Sequence, residues 1–467
     1  MKQGYDYPVV MARKNEIMKS AVGIDYAKFE SGSVAFDYER MMEEPGYSIE
    51  EIRKIQKSTH VGDTPLIELK NITALARKNA SPGLGARIFI KDEACNPSGS
   101  FKERRASVSV YHAKKTGFKG VVTATSGNYG AAVASQCAIS NLKCIVIQEC
   151  YDSRKLGQPE IIEKARKCEA FGAEVVQLSV GPELFCKFLL LLEETGFFNA
   201  SLYTPFGIAG IETLGYEIVE QCRKELGRDP DVIVCTNAGG GNLTGTARGM
   251  LKAGCSAQLI GASVDLTGLH MASDKDFNHK SFTTGHTGFG MPFAINPDRS
   301  DVPRSAARPL RYMDRYVTIP QGSVFFITEA LASLEGMEKG PAGNTSLAAA
   351  FALAQELPEE KILVVQETEY TGAGKHVQPQ LSFAKKNGIE IKFGDPQDEI
   401  PGKNIIFPSS SKLIKIKDVD MEKIRGSLIR AAVVSKAGVT KEDVQYLALE
   451  TRSDETFVTG VIDGIRE

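Results

Sequence analysis

Short apolar runs alternate with amphipathic segments from about residue 87 to residue 393. Runs such as "GVVTA" (120–124) and "KILVVQE" (361–367) are typical of strands that are buried on both faces of a parallel sheet. Segments such as "EIIEKARKCEAFG" (160–172) have the apolar spacing of a surface helix. The predicted strands are 87–91, 120–124, 143–148, 174–178, 231–236, 257–264 and 361–367, and the predicted helices are 101–115, 129–140, 160–172, 243–252 and 344–356. This alternation predicts an α/β protein with mainly parallel sheets covered by helices.

The strand–helix units form two series that break near residue 205, which predicts two three-layer α/β domains facing each other across a cleft. A loop-rich insertion follows residue 264 and contains three of the six histidines. After residue 396 the pattern changes to a predicted strand over 412–416 and helices near 419–437 and 440–450. The expected units are an N-terminal extension (1–54), a smaller domain (85–205), a larger domain (55–84 and 206–395) and a C-terminal appendage (396–467).

Composition narrows the class of protein. The chain has 467 residues and a formal net charge of −2, so it carries no basic field for nucleic acid or an anionic membrane. The first residues contain no apolar signal core, and no apolar run is long enough to span a bilayer. The nine cysteines are scattered without a CxxC pair or zinc-type spacing, which fits a reducing compartment. We therefore expect a cytoplasmic enzyme or binding protein without a metal site.

One lysine follows a loop of turn-forming residues in "ACNPSGSFKERR" (94–105). Ser100 and Glu103 have the spacing of a capping box, so an ordinary helix start is one interpretation. In the other, the positive end of the helix dipole favours the neutral amine of Lys102, which can condense with a carbonyl group.

Three further loops of small residues follow predicted strands, where ligands bind in open parallel sheets. In "TATSGNYGAA" (123–132), side chains and a helix start suit a carboxylate, unless the segment is a turn with Asn128 in a left-handed conformation. In "TNAGGGNLTGTARG" (236–249), three glycines before a helix suit a single phosphate without a metal, unless they form a flexible turn. In "ETEYTGAGKH" (367–376), the hydroxyl of Thr371 follows a predicted strand end and suits a hydrogen bond to a ring nitrogen.

Taken together, the four loops describe one ligand. An imine-forming amine, a phosphate cradle and two ring partners match pyridoxal phosphate, with its aldehyde on Lys102, its ring hydroxyl on Asn128 and its ring nitrogen on Thr371.

The order of "SGSFKER", "TSGNYG", "GGGN" and "TGAG" resembles that of the fold type II pyridoxal-phosphate enzymes, such as threonine synthase and diaminopropionate ammonia-lyase. The resemblance covers roughly residues 55–395 and includes "THVGDTPLIEL" (59–69). It implies that Lys102 is the Schiff-base lysine and that Asn128 and Thr371 hold the ring. The phosphate residues that it implies are Gly239, Gly240, Gly241 and Asn242. The residues that it implies for the substrate carboxylate are Thr125, Ser126, Gly127 and Tyr129.

The sequence departs from threonine synthase at two positions: Glu103 replaces the usual Asp, and Tyr129 replaces a smaller residue. These departures bear on which substrate is bound and do not change the implied cofactor. The N-terminal extension, the 265–312 insertion and the C-terminal segment are more similar to the β subunits of thiolases that act in amino-acid breakdown. That resemblance implies thiolysis of a 2-amino-4-oxo acid by coenzyme A in ornithine degradation. It also implies a small α subunit in a hetero-oligomer.

Two alternatives remain open at this stage. One is a threonine synthase-like or ammonia-lyase-like elimination without coenzyme A, and the other is a non-catalytic sensor of an amino acid or of the cofactor. No coenzyme A motif is recognisable, and His270, His279 and His286 are either bases for the thiol or ordinary solvated histidines.

Overall fold

The structure is a computed structural model that describes residues 6–125, 127–149, 159–178, 183–266, 281–283, 291–298, 301–370 and 377–466. Several predicted functional residues lie outside the described residues: Ser126, His270, His279, His286 and Thr371.

Strands and helices alternate through most of the described chain. The strands are β1 (Leu66–Glu68), β2 (Arg87–Asp92), β3 (Gly120–Thr125), β4 (Lys143–Glu149), β5 (Glu174–Leu178), β6 (Phe198–Asn199), β7 (Val232–Thr236), β8 (Gln258–Val264), β9 (Arg315–Ile319), β10 (Ile362–Glu367), β11 (Glu390–Gly394), β12 (Asn404–Pro408) and β13 (Lys417–Asp418). The helices before residue 230 are α1 (Tyr7–Ala12), α2 (Lys14–Val22), α3 (Tyr38–Glu43), α4 (Ile49–Lys57), α5 (Lys70–Asn79), α6 (Lys102–Lys115), α7 (Asn128–Ser140), α8 (Pro159–Ala170), α9 (Glu183–Thr195) and α10 (Pro205–Leu226). The later helices are α11 (Gly241–Lys252), α12 (Met291–Ile295), α13 (Pro309–Tyr312), α14 (Gln321–Glu335), α15 (Asn344–Ala354), α16 (Val377–Lys386), α17 (Met421–Val433), α18 (Lys441–Thr451) and α19 (Glu455–Arg466).

The described residues form two large sheets and a separate parallel pair, β11 and β12. The larger has the order β1-β2-β10-β7-β8-β9-β13, and the smaller has the order β5-β4-β3-β6. All neighbours in both sheets are parallel except the edge strands β1 and β13, which are antiparallel. Every residue of β3 and β10 is buried, as their continuous apolar runs require. The predicted α/β class with mainly parallel sheets is confirmed.

Helix α6 connects the two sheets because it packs against both α7, beside the smaller sheet, and α10. Glycine permits this closeness: a Cβ on Gly210 of α10 would overlap with the backbone oxygen of Arg104 of α6. Helix α10 also packs against α11, where a Cβ on Gly249 would overlap with the backbone oxygen of Glu212. The starts of α6 and α11 are thereby held at fixed positions beside the sheets.

Two details differ from the predictions. Residues 87–91 were expected in the smaller unit, but β2 pairs with β10 in the larger sheet, and the domain division itself remains a prediction. The predicted strand over 412–416 is wrong, because Ser411–Leu413 forms a 3₁₀ turn capped by the side chain of Ser410. Of this C-terminal segment, Lys417–Asp418 is the part that pairs with β9.

The C-terminal helices pack onto the body of the protein. Ile424 of α17, Leu447 of α18 and Val458 of α19 share one apolar cluster with Leu259 and Ile362 of the larger sheet. Helices α17 and α18 match the helices predicted near 419–437 and 440–450. Among the described helices, none combines the length and apolarity needed to cross a membrane.

Candidate active site

A cavity lies where the start of α6 meets the loops that follow β3 and β7. Every predicted site residue that the structure describes lines it. These residues are Lys102, Thr125, Gly127, Asn128, Tyr129, Gly239, Gly240, Gly241 and Asn242. The ends of parallel strands from two sheets therefore bring together loops that are more than 100 residues apart in the chain.

Lys102 is the first residue of α6 and follows Phe101, whose side chain does not cap the helix. Its Nζ atom lies 4.6 Å from the centroid of the Phe101 ring. The capping-box interpretation is wrong. The Ser100 hydroxyl is buried and lacks a partner among the described residues, and Glu103 accepts a hydrogen bond from Gln136 instead (2.7 Å).

The loop before Lys102 is attached to the segment that follows β10. The Phe101 amide donates to the Thr368 carbonyl (3.0 Å), and the Tyr370 amide donates to the Gly99 carbonyl (2.9 Å). Ser100 and Glu369 form a β-bridge between the two segments. The described part of the "ETEYTGAGKH" loop therefore lies beside the lysine loop, as a shared ligand site requires.

The glycine loop has the geometry of an anion cradle. Gly240 has φ +79°, and a Cβ there would lie 2.6 Å from Cγ of Pro309. A Cβ on Gly239 would overlap with the hydroxyl of Tyr203. Helix α11 begins immediately afterwards at Gly241 without a side-chain cap, so its first amides are open to a ligand. The side-chain amide of Asn242 is buried, and neither its oxygen nor its nitrogen has a partner among the described residues.

The loop after β3 presents further polar atoms. The Gly127 amide donates to the Thr125 hydroxyl (3.0 Å), which shapes the turn into α7. In the described part of the chain, Nδ2 of Asn128 and the hydroxyl of Tyr129 are buried without a partner. Because native proteins rarely leave buried donors unsatisfied, these atoms indicate a ligand.

These residues fit a flat, phosphorylated aldehyde such as pyridoxal phosphate. The cavity offers a lysine amine for the carbonyl, an open helix start for the phosphate and an unsatisfied amide for the ring oxygen.

Comparison with known proteins decides the family. A family model described as "Pyridoxal-phosphate dependent enzyme" matches residues 57–367, which include the lysine, asparagine and glycine loops. The chain belongs to this family of pyridoxal-phosphate-dependent enzymes. The prediction of the cofactor is thereby confirmed.

One relative is similar along its whole length. The 2-amino-4-ketopentanoate thiolase beta subunit of Acetoanaerobium sticklandii is 69% identical over 468 residues, covering 100% of both chains. Among solved structures, serine racemase of maize has a TM-score of 0.54 at 20% identity, covering 72% of this chain and 98% of its own. Serine racemase of Dictyostelium discoideum has a TM-score of 0.54 at 18% identity, covering 70% of this chain and 98% of its own. These two structures show that the pyridoxal-phosphate enzyme shares their fold.

Several residues that line the cavity were not predicted from the sequence, notably Arg105, Lys164, Tyr203 and Glu369. Arg105 follows Lys102 by three positions, so helical spacing alone places both on one face of α6. Tyr203 follows the two-residue strand β6, which is too short to give a periodic signal. Lys164 lies on α8, where the pattern predicts a helix but not the direction of one lysine.

Glu103, directly after Lys102, is completely buried, and burial raises the pKa of its carboxyl group to about 7. A titratable group thus lies one residue from the candidate imine lysine.

Proposed function

We propose that this chain is the pyridoxal-phosphate-bearing β subunit of an enzyme that cleaves 2-amino-4-oxopentanoate with coenzyme A. The products are acetyl-coenzyme A and alanine, and the reaction belongs to ornithine degradation. The observation that carries this proposal is the 69% identity, across the entire chain, with a protein named for thiolysis of the same keto acid. The description of that relative as a beta subunit supports a second, α subunit. The scattered cysteines, free wherever the structure describes them, support a cytoplasmic location.

The reaction breaks the C3–C4 bond of the amino acid and forms a thioester bond to C4. The thiol hydrogen is replaced by acetyl, and C3 gains a proton to become the methyl group of alanine. Bound pyridoxal phosphate supplies an electron sink for negative charge at the amino-acid carbons.

The residues of this chain have the following proposed roles. Lys102, at the start of α6, would hold the aldehyde of the cofactor and is placed to act as the base at C2. It takes a proton from C2 and later returns one there, because alanine keeps a hydrogen at C2. The side-chain amide of Asn128 orients the cofactor ring by a hydrogen bond to the ring hydroxyl. The backbone amides of Gly239–Gly241 hold the phosphate. Thr125 and Gly127, in the turn before α7, bind the substrate carboxylate. Asn242 joins the phosphate site and Tyr129 joins the carboxylate site, because each has a buried polar side-chain group without a partner among the described residues.

The role of Lys102 is tested by borohydride reduction followed by peptide mapping. We expect the cofactor to be attached to Lys102, and we expect Lys102→Ala to remain unlabelled. Lys115→Ala, at the opposite end of the same helix, is the matched control and should label normally. Label on Lys164, the other described lysine that lines the cavity, would overturn the assignment.

Thiolysis is tested by mixing the chain, the amino acid and coenzyme A, with and without the α subunit, and following thiol loss and alanine. We expect the chain alone to bind the cofactor and the amino acid but to form little acetyl-coenzyme A until the partner is added. Complete thiolysis by the chain alone would remove the need for a partner. Elimination of ammonia or phosphate from other amino acids at a comparable rate, without coenzyme A, would favour a lyase or synthase.

A further inference from the structure

Arg105 is a buried cation without a carboxylate partner among the described residues. Arg105 is only 3% exposed, and its Nη1 donates to the Leu202 carbonyl (3.0 Å). Its Nε atom is buried and has no partner in the described part of the chain. The guanidinium also lies 5.7 Å from the centroid of the Phe101 ring. Since an uncompensated buried charge is costly, this arrangement calls for an anion.

The guanidinium lies against the start of α11. A Cβ on Gly241 would overlap with Nη2 of Arg105 and lie 2.9 Å from its Cζ. A cation beside a helix N-terminus faces the positive end of the helix dipole, so the two positive features repel one another unless an anion lies between them. Burial lowers the pKa of Arg105 to about 10, which leaves the side chain charged at neutral pH.

We propose that Arg105 is a ligand of the phosphate group of pyridoxal phosphate and holds it together with the first amides of α11. The phosphate dianion satisfies the free Nε–H and Nη–H donors and offsets both positive features. This inference rests on the cofactor of the proposed function and is independent of thiolysis.

Binding to the apoprotein tests the proposal without turnover. Pyridoxal phosphate and pyridoxal, which lacks the phosphate, are titrated into the wild type, Arg105→Gln and Arg105→Lys, and binding is followed by absorbance. A charge-assisted hydrogen bond predicts a loss of about 10- to 100-fold in affinity for pyridoxal phosphate in Arg105→Gln. Affinity for pyridoxal should stay unchanged, and Arg105→Lys should recover part of the loss. Unchanged affinity for pyridoxal phosphate, or an equal loss for both ligands, would overturn the proposal.

Thermal unfolding separates a ligand role from a structural one. Without cofactor, Arg105→Gln should unfold at or above the temperature of the wild type, because the variant no longer buries an unpaired charge. With saturating pyridoxal phosphate the order should reverse. A lower unfolding temperature of the apo variant would indicate a structural role and overturn the proposal.

Coenzyme A is another possible source of a phosphate, so its affinity is measured by calorimetry on cofactor-saturated wild type and Arg105→Gln. The proposal predicts equal affinities for coenzyme A. A loss confined to coenzyme A, with normal binding of pyridoxal phosphate, would contradict it.

Discussion

Arg104 and Arg105 are consecutive residues of α6, and both are buried, yet they face opposite environments. Arg104 donates to both oxygens of Glu93 (2.7 Å each) and to Glu217 (3.0 Å). Burial by itself would raise the pKa of Glu217, but Arg104 and Lys91 bring it down to about 2. Arg105, in contrast, has one backbone carbonyl and an open cavity.

The comparison of Arg104 and Arg105 distinguishes a buried charge that is compensated by the protein from one that is compensated only when a ligand binds. A helix turns by about 100° per residue, so neighbouring side chains point into different regions. The ion network around Arg104 joins β2, α6 and α10 and is complete without a ligand. The cavity side of α6 is incomplete, and its unsatisfied donors coincide with the loops that resemble a cofactor site. Burial alone would not distinguish the two arginines, whereas their partners do.

The largest effect is expected when the complete network is broken. Arg104→Met leaves Glu93 and Glu217 buried with reduced compensation, which should lower the free energy of unfolding by about 3–5 kcal/mol. Urea unfolding of the apoprotein measures it. The control is Arg53→Met, whose partner Glu220 and whose own side chain are 42% and 38% exposed, so that its loss should stay below about 1 kcal/mol. Equal losses in the two variants would mean that the network contributes little.

A smaller effect concerns Glu103, the residue between Lys102 and Arg104. Burial raises the pKa of its carboxyl to about 7 in the folded chain, well above its value in an unfolded chain. The folded state therefore favours the protonated acid. Below about pH 4, the difference in free energy of unfolding between the wild type and Glu103→Gln should be constant. As the pH rises from there through 7, the free energy of unfolding of the wild type should fall by up to about 3 kcal/mol relative to that of the variant.

Urea unfolding of both proteins from pH 4 to pH 8 tests this expectation. Subtracting one profile from the other removes the contribution of Glu399, whose pKa burial also raises to about 7. A difference that does not vary with pH would mean that Glu103 is ionised throughout or compensated by a partner.

Local sequence patterns predict most of the strands and helices, and tertiary contacts determine the elements that these patterns miss. The apolar runs of β3 and β10 are predictable because both faces of these strands are buried. The segment "KLIKI" has a strand-like alternation, but the Ser410 cap stabilises a 3₁₀ turn at its start. Similarly, Ser100 and Glu103 have capping-box spacing, but Gln136 of α7 provides the partner that Glu103 uses. Such competition between local and distant partners is not visible in a single sequence.

The same limit applies to the site. Lys102, Asn128 and the three glycines could be found because each belongs to a short motif with its own chemistry. Arg105 belongs to no such motif. Its neighbour Arg104 is also a buried arginine, yet it has a structural role. Only the position of Gly241, 139 positions after Lys102, shows what the guanidinium faces.

The smallest effect is expected from adding one methyl group at the boundary between Arg105 and the glycine loop. Gly241 has no positive φ, so alanine is tolerated by the backbone, but its Cβ would displace the guanidinium of Arg105. We expect Gly241→Ala to lose about tenfold in affinity for pyridoxal phosphate, roughly the effect of one lost hydrogen bond, with little change for pyridoxal. The control is Gly460→Ala, also in a helix, where a Cβ meets nothing within 4 Å and affinity should be unchanged.

Because Gly241→Ala and Arg105→Gln disturb the same contact, the double variant should lose much less affinity than the product of the single losses. Fully multiplicative losses would mean that the glycine loop and Arg105 bind the cofactor independently, and the division of α6 into a structural side and a phosphate-binding side would then need another explanation.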